Sequence, residues 1–370
     1  MAGKFALKSG FHTDQAALRE GACNLLKNCA GVRGGETVLI VRENSAFGYF
    51  DDAAPDAVAD EARKIGAHVE LIEVQHIDAP EEFPGPVLAS MAYADHVIFF
   101  ARLGDQIRFS EMKTRGSRVM CYAPDADFLG SPYGCLPHQL MCSLKDAMET
   151  KFVPGSDWRI TCKGGTDLRG TFSTDIVRGY QEVTLSRFPM TTFCPVSCSS
   201  ASGKVALANW LIGTGSRNYK PYTQALDDLA FAIVENGRIQ RFEGPDEVVA
   251  KISAHYDYVA NLFDIEALVV HSWHAGLHPQ AYYPGAATDN LERWAGVAFA
   301  NPRYLHFHTC GDYAPGEICW SCIDPTIDIN GETLWQDGHC NLFDEPEVRG
   351  LFAGHPGFEN SWRMRTDIGL

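Results

Sequence analysis

The chain lacks the features that mark a membrane, exported or nucleic-acid-binding protein. A membrane-spanning helix needs about 20 consecutive apolar residues, and no such run occurs in the sequence. The opening residues, MAGKFALKSGFHTDQ, contain no apolar signal-peptide core, so a cytoplasmic location is expected. Basic residues are in deficit, with 31 Lys and Arg against 47 Asp and Glu. The resulting net charge of -16 disfavours nucleic acid and anionic membranes as partners.

The chain also lacks a dinucleotide-binding fingerprint, an internal repeat and a low-complexity linker. Because no Gly-x-Gly-x-x-Gly follows the first predicted strand, a dinucleotide-binding function has no support. A chain of 370 residues can bury a large core, and chains of this length usually form two domains. We expect these domains to span residues 1–188 and 189–370 and to pack closely.

The first half of the chain alternates predicted strands with predicted helices. The compact apolar run Glu36–Val41 is typical of a buried parallel strand. A helix is predicted over Asp56–Ile65, and Gly66 follows it at the position of a C-terminal cap. Further strands are predicted at His68–Val74, Ala94–Phe100 and Arg118–Tyr122. This order predicts an N-terminal α/β domain with a parallel sheet.

After about Phe188 the pattern changes to short strands separated by glycine. Strands are predicted at Lys204–Leu207 and Ala230–Val234, and Glu235–Arg238 has the composition of a hairpin turn. One longer helix is predicted over Asp246–Leu262. These signals predict a strand-rich α+β domain at the C-terminal end.

Twelve cysteines are scattered along the chain rather than grouped as in a disulfide scaffold. With no export signal we expect reduced thiols, most of them acting as small buried hydrophobic residues. Cys319 and Cys322 form a single Cys-x-x-Cys, whereas a closed structural zinc site usually uses two such pairs. A structural zinc site is therefore disfavoured.

Histidine and cysteine are concentrated between Val269 and Cys340. The segment holds His271, His274, His278, His306, His308, Cys310, Cys319, Cys322, His339 and Cys340. Imidazole and thiolate are ligands that zinc and iron favour, and both also serve in metal-free nucleophilic catalysis. In an extended strand alternate side chains share a face, so His306, His308 and Cys310 are predicted to point the same way. The segment is the expected functional site.

Several residues near these strands complete the candidate site. His271 and His274 lie at the end of a predicted strand, where ligands often bind, and are candidate metal ligands beside His306 and His308. Asp312 is a candidate carboxylate ligand. Three further side chains are candidate catalytic groups, the thiols as nucleophiles and the hydroxyl as a general acid: Cys198, Cys319 and Tyr313.

The order of short motifs resembles that of the thermophilic-type metallo-aminopeptidase family, the aminopeptidase T and S relatives, which also includes 2,5-dihydroxypyridine 5,6-dioxygenase. The matching segments are Gly35–Ile40, Gly165–Leu168, Phe193–Cys198, Glu235–Ile239, Gly276–Ala281 and the strand that ends at His308. The resemblance implies an N-terminal α/β domain, a strand-rich C-terminal domain that holds the metal site, and a homodimer.

The chain departs from the family pattern at the ligand positions. Cys198 stands where the peptidases have a glutamate, and a gapless alignment puts Ser272 at a second glutamate position. The dioxygenase has a histidine at that second position, which a one-residue bulge would supply through His271. The family's closing His-x-Asp pair matches Cys319 and Ser321. Neither the two-metal carboxylate site nor an unaltered two-histidine, one-carboxylate iron site is therefore present.

These observations predict a catabolic metalloenzyme with one metal ion. Fe(II) is favoured, in a dioxygenase that cleaves the ring of a small hydroxylated N-heteroaromatic compound. Zn(II) is the alternative, in a hydrolase that cleaves an amide or a ring C–N bond. A metal-free hydrolase with a cysteine nucleophile and a histidine base remains open. A non-catalytic binding protein of the same fold is the remaining possibility.

Overall fold

A computed structural model describes residues 14–75, 83–107, 115–173, 185–213, 219–312 and 315–370. The chain divides into two compact units. The first contains Met1–Cys142, Val183–Met190 and Thr288–Val297, and the second contains Ser143–Glu182, Thr191–Ala287 and Ala298–Leu370. The domain division predicted after residue 188 falls inside the short segment Val183–Met190 of the first unit.

The strands fall into one parallel and two antiparallel sheets. Their bounds are β1 Thr37–Glu43, β2 His68–Val74, β3 His96–Phe100, β4 Ser117–Cys121, β5 Asp157–Thr161, β6 Asp167–Thr171, β7 Ser186–Phe188, β8 Val196–Ser197, β9 Ser202–Leu207, β10 Trp210–Ile212, β11 Thr223–Ala225, β12 Ala230–Glu235, β13 Arg238–Glu243, β14 Val270–Ala275, β15 Tyr304–Cys310, β16 Glu317–Ile323, β17 Thr326–Ile329, β18 Glu332–Gln336 and β19 His339–Cys340.

The helices are short, apart from three. Their bounds are α1 Gln15–Cys23, α2 Ala53–Ile65, α3 Gly85–Met91, α4 Leu103–Gln106, α5 Ala126–Leu129, α6 Pro132–Cys135, α7 His138–Thr150, α8 Asp246–Phe263, α9 Leu291–Ala298 and α10 Pro346–Ala353. A π-helical turn, Asn24–Ala30, extends α1. Across the described ranges, no helix combines the length and the apolar character that crossing a membrane requires.

The first unit is built on a parallel sheet with the strand order β2-β1-β3-β4-β7. Val38–Val41 of β1 is fully buried, as expected for a parallel strand that is covered on both faces. Helix α2 ends at Ile65, and Gly66 follows in the left-handed conformation with φ 93°. Glycine adopts this conformation without a steric penalty. The parallel α/β class predicted for the first half is confirmed.

The second unit contains two antiparallel sheets. The six-stranded sheet has the order β11-β10-β16-β15-β14-β8, and the eight-stranded sheet has the order β13-β12-β9-β6-β5-β17-β18-β19. The predicted hairpin turn joins β12 to β13, and both of its central residues, Asn236 and Gly237, have positive φ. The strand-rich α+β class predicted for the second half is also confirmed.

A buried histidine in α8 makes stability depend on pH. His255 is 4% exposed, and burial lowers its pKa to about 4, against about 6.5 in an unfolded chain. Between these two values the unfolded chain binds a proton that the folded chain does not bind. The free energy of unfolding should therefore fall as the pH is lowered through this range.

We predict that His255→Gln removes this contribution. Urea denaturation of wild type and variant at pH 7 and pH 5 measures it: the loss of stability on acidification should be smaller in the variant. His68→Gln, at an exposed position where β2 begins, is the matched control. Equal losses in wild type and His255→Gln would contradict the assignment.

Candidate metal centre

The candidate site lies on three neighbouring strands of the six-stranded sheet, β14, β15 and β16. His274 of β14 is directly opposite His306 of β15. On the other side of β15, His308 is opposite Cys319 and His306 is opposite Ser321 of β16. Because side chains alternate between the two faces of a strand, these five side chains share one face of the sheet.

The opposite face of the same strands is aromatic. Trp273 packs edge-on against Trp158 of the eight-stranded sheet, with ring centroids 5.6 Å apart. Phe307 packs against Trp320 with centroids 5.8 Å apart, and the Trp320 indole donates to the hydroxyl of Tyr256 at 2.7 Å. A slip of one residue would exchange these rings with the histidines. Burial of the aromatic face therefore fixes which face carries the imidazoles.

Three imidazoles converge on this face. The Nε2 atom of His274 lies 2.6 Å from Nε2 of His306 and 3.0 Å from Nε2 of His308. The three residues are 3%, 8% and 6% exposed, respectively. Over the part of the chain that the structure describes, they form the one group of His, Cys, Asp or Glu whose ligand atoms lie close enough to share a metal ion.

The surroundings of two of these rings favour one tautomer of each. Nδ1 of His308 lies 2.7 Å from Oε1 of Glu317, and Nδ1 of His274 lies 3.3 Å from the backbone carbonyl of Phe193. A carbonyl oxygen and an ionised carboxylate accept but do not donate, so Nδ1 donates in both rings. In the neutral form of each ring Nε2 is then the acceptor, and the lone pairs of the two Nε2 atoms face each other. A positive charge between them, from a metal ion or a proton, stabilises this arrangement.

The donor set is one that a single divalent metal ion accepts. Nitrogen atoms that bind tetrahedral zinc at about 2.0–2.1 Å lie about 3.3 Å apart, farther than the 3.0 Å between His274 and His308 and the 2.6 Å between His274 and His306. The rings would have to move apart to admit the ion. Three histidines with open positions form the catalytic site of some zinc enzymes, and imidazole also suits iron. His274, His306 and His308 would hold the metal, and Glu317 and the Phe193 carbonyl would orient two of the rings.

Two of the predicted ligands lie outside this group. β14 has a bulge between Val270 and Ser272, and Nε2 of His271 lies 2.7 Å from the carbonyl of Cys310. Its Nδ1 is 3.8 Å from Asp312, whose side chain is half exposed. The bulge that sequence analysis invoked is present, but it directs His271 to the end of β15 rather than to the cluster. Cys310 itself ends β15 with φ 64°, which breaks the strand geometry assumed for it.

The predicted catalytic residues are dispersed. Cys198 follows β8 and is fully buried, and burial raises the pKa of its thiol, which opposes a nucleophilic role. Cys319 lies on the site face, where its thiol donates to Oε1 of Glu317 at 3.2 Å. His278 is fully buried and accepts a hydrogen bond from the amide of Gln280. Tyr313 lies outside the described residues.

Glu317 is the site residue that sequence analysis missed. It is 1% exposed and begins β16, two residues before Cys319 and therefore on the same face. A carboxylate two residues before the candidate catalytic residue Cys319 was an available signal. The Phe193 carbonyl left no such signal, because a backbone acceptor is independent of the residue type.

No protein-family model matches the chain, and no curated protein matches it in sequence. Two solved structures share its fold. The 2,5-dihydroxypyridine dioxygenase of Pseudomonas putida KT2440 is 15% identical, with a TM-score of 0.56 over 88% of this chain and 97% of that chain. AmpT of Thermus thermophilus is 10% identical, with a TM-score of 0.50 over 88% of this chain and 99% of that chain. Both are distant structural neighbours, and the likeness shows the fold alone.

Metal binding should stabilise the chain. At a metal concentration 100 times the Kd, a site that forms only in the folded state adds about 2.7 kcal/mol to the free energy of unfolding. We predict that Zn(II) raises the Tm of the metal-free wild type, measured by calorimetry, and that His274→Ala abolishes the rise. His271→Ala, which alters a neighbouring histidine outside the cluster, should retain it. A rise that survives in His274→Ala but not in His271→Ala would place the metal elsewhere.

Proposed function

We propose that the protein is a mononuclear metalloenzyme in which His274, His306 and His308 hold Fe(II), and that it is a dioxygenase of a small hydroxylated N-heteroaromatic compound. The observation that carries the proposal is the convergence of the buried Nε2 atoms of His306 and His308 on Nε2 of His274, at 2.6 Å and 3.0 Å. Three convergent imidazole nitrogens are donor atoms that iron and zinc favour.

The side chains of the site have separable roles in this proposal. Three histidines leave coordination positions free, and bound Fe(II) would supply there the chemistry that joins a hydroxylated ring to dioxygen. Glu317 and the Phe193 carbonyl hold the rings of His308 and His274 in one tautomer. Burial of all three imidazoles limits the access of water, which strengthens each electrostatic interaction within the site.

The aromatic substrate class has two supports. Phe299 meets the His306 ring edge-on at a centroid distance of 6.0 Å, and Tyr304 lies 5.9 Å from the same ring. Aromatic rings prefer such edge and offset contacts with flat partners. The structural neighbour with the TM-score of 0.56 is a dioxygenase of 2,5-dihydroxypyridine, a flat hydroxylated N-heterocycle. A homodimer and a cytoplasmic location remain predictions.

A zinc hydrolase is the second candidate, because the ligand set itself favours it. Three neutral histidines without a carboxylate are one of the ligand sets with which catalytic zinc sites lower the pKa of bound water. The metal-free cysteine hydrolase has less support. The Cys198 thiol has a raised pKa in its buried position, and the Cys319 thiol donates to a carboxylate.

The metal content of the purified protein, together with oxygen uptake, tests the proposal. We expect one iron per chain, oxygen consumption with dihydroxypyridines, and loss of both in His306→Ala. His271→Ala is the control and should keep both, since it lies outside the cluster.

Other results of these measurements would support one of the alternative functions. Stoichiometric zinc without oxygen uptake favours the hydrolase. Hydrolytic activity that needs no metal and is abolished by iodoacetamide favours a cysteine nucleophile. Absence of both iron and zinc binding in the wild-type chain would contradict the proposed function.

A further inference from the structure

The carboxylate behind His308 is part of the site rather than of the general core. Glu317 is 1% exposed, and an ionised carboxylate is stable in such a buried place only when it is paired and hydrogen-bonded. Its Oε1 atom lies 2.7 Å from Nδ1 of His308 and accepts a hydrogen bond from the Cys319 thiol at 3.2 Å. The carboxylate is thus separated from the cluster of Nε2 atoms by a single imidazole ring.

The backbone holds Glu317 at this point. It begins β16 opposite Cys310, the last residue of β15. The hydroxyl of Tyr219 donates to the Glu317 backbone carbonyl at 2.7 Å, and Tyr219 is itself buried. Strand pairing and this hydrogen bond restrain the main chain from two sides. The carboxylate therefore reaches His308 from a fixed position, as a residue that orients a metal ligand should.

Charge gives this contact a second consequence. Three neutral imidazoles leave the full charge of a divalent ion uncompensated, whereas a two-histidine, one-carboxylate site carries one negative charge on its ligands. A carboxylate that accepts from Nδ1 makes the imidazole more basic at Nε2 and adds a negative charge close to the metal. Glu317 is placed to supply this charge through His308.

We infer that Glu317 is a positioning residue of the metal centre, and that it supplies through His308 the negative charge that a carboxylate ligand supplies directly in a facial triad. The inference rests on the proposed function, because it requires a metal on His274, His306 and His308. On this inference Glu317 contributes to the metal affinity although it does not bind the metal itself. A divalent ion together with the Glu317 carboxylate then carries a net charge of about +1. A substrate that chelates as a monoanion matches that charge.

The test is a Zn(II) titration of the metal-free full-length chain in competition with a chromophoric chelator. Glu317→Gln keeps the size of the side chain and an acceptor oxygen but removes the charge. We expect its Kd for Zn(II) to rise about 10- to 100-fold, the range found for such outer partners of metal ligands. Glu332→Gln, the same substitution at an exposed carboxylate where β18 begins, is the matched control and should leave the Kd unchanged.

The outcomes separate this inference from the proposed function. An unchanged Kd in Glu317→Gln, with binding lost in His308→Ala, overturns the role of Glu317 and leaves the metal site standing. Absence of Zn(II) and Fe(II) binding in wild type overturns both. If Glu317→Gln does not fold, Glu317→Asp keeps the charge but shortens the reach to Nδ1. A Kd for Zn(II) that is higher in Glu317→Asp than in wild type supports the inference, and an equal Kd overturns it.

Discussion

The register of three antiparallel strands is the constraint on which the candidate site depends. Pairing of β14 with β15 places His274 beside His306, and the alternation along β15 brings His308 to the same face. The energy that maintains this register comes from the other face, where Trp273, Phe307 and Trp320 are fully buried. Burial of these aromatic rings on one face keeps the imidazoles on the other, so a hydrophobic layer holds the polar one in place.

Much of the fold could be predicted from periodicity and turn residues alone. Helix α2 and its Gly66 cap, strands β1 to β4 of the parallel sheet and the hairpin at Asn236 and Gly237 follow from local sequence, whereas β7 was not predicted. Local signals suffice there because each element is specified by its own residues. The pairing order of the two antiparallel sheets depends on contacts between distant segments, and no local pattern predicted it.

The candidate site was predictable in part, for the same reason. His306 and His308 share a face because of strand geometry, which one sequence reveals. His274 and His271 could not be told apart, since the bulge that separates their surroundings depends on how β14 pairs with β15. The role of Glu317 depends on the pairing of β15 with β16, which brings the carboxylate to Nδ1 of His308.

The histidines and the aromatic residues of β15 lie on opposite faces of the strand, and this has a consequence for how β14 and β15 find their correct register. If β15 paired with β14 one residue out of step, His306 and His308 would enter the aromatic layer and His274 would face a hydrophobic side chain. Such a mispaired sheet offers a metal no three-nitrogen pocket. A cation that binds these three imidazoles would therefore stabilise the correctly paired sheet and not the mispaired one.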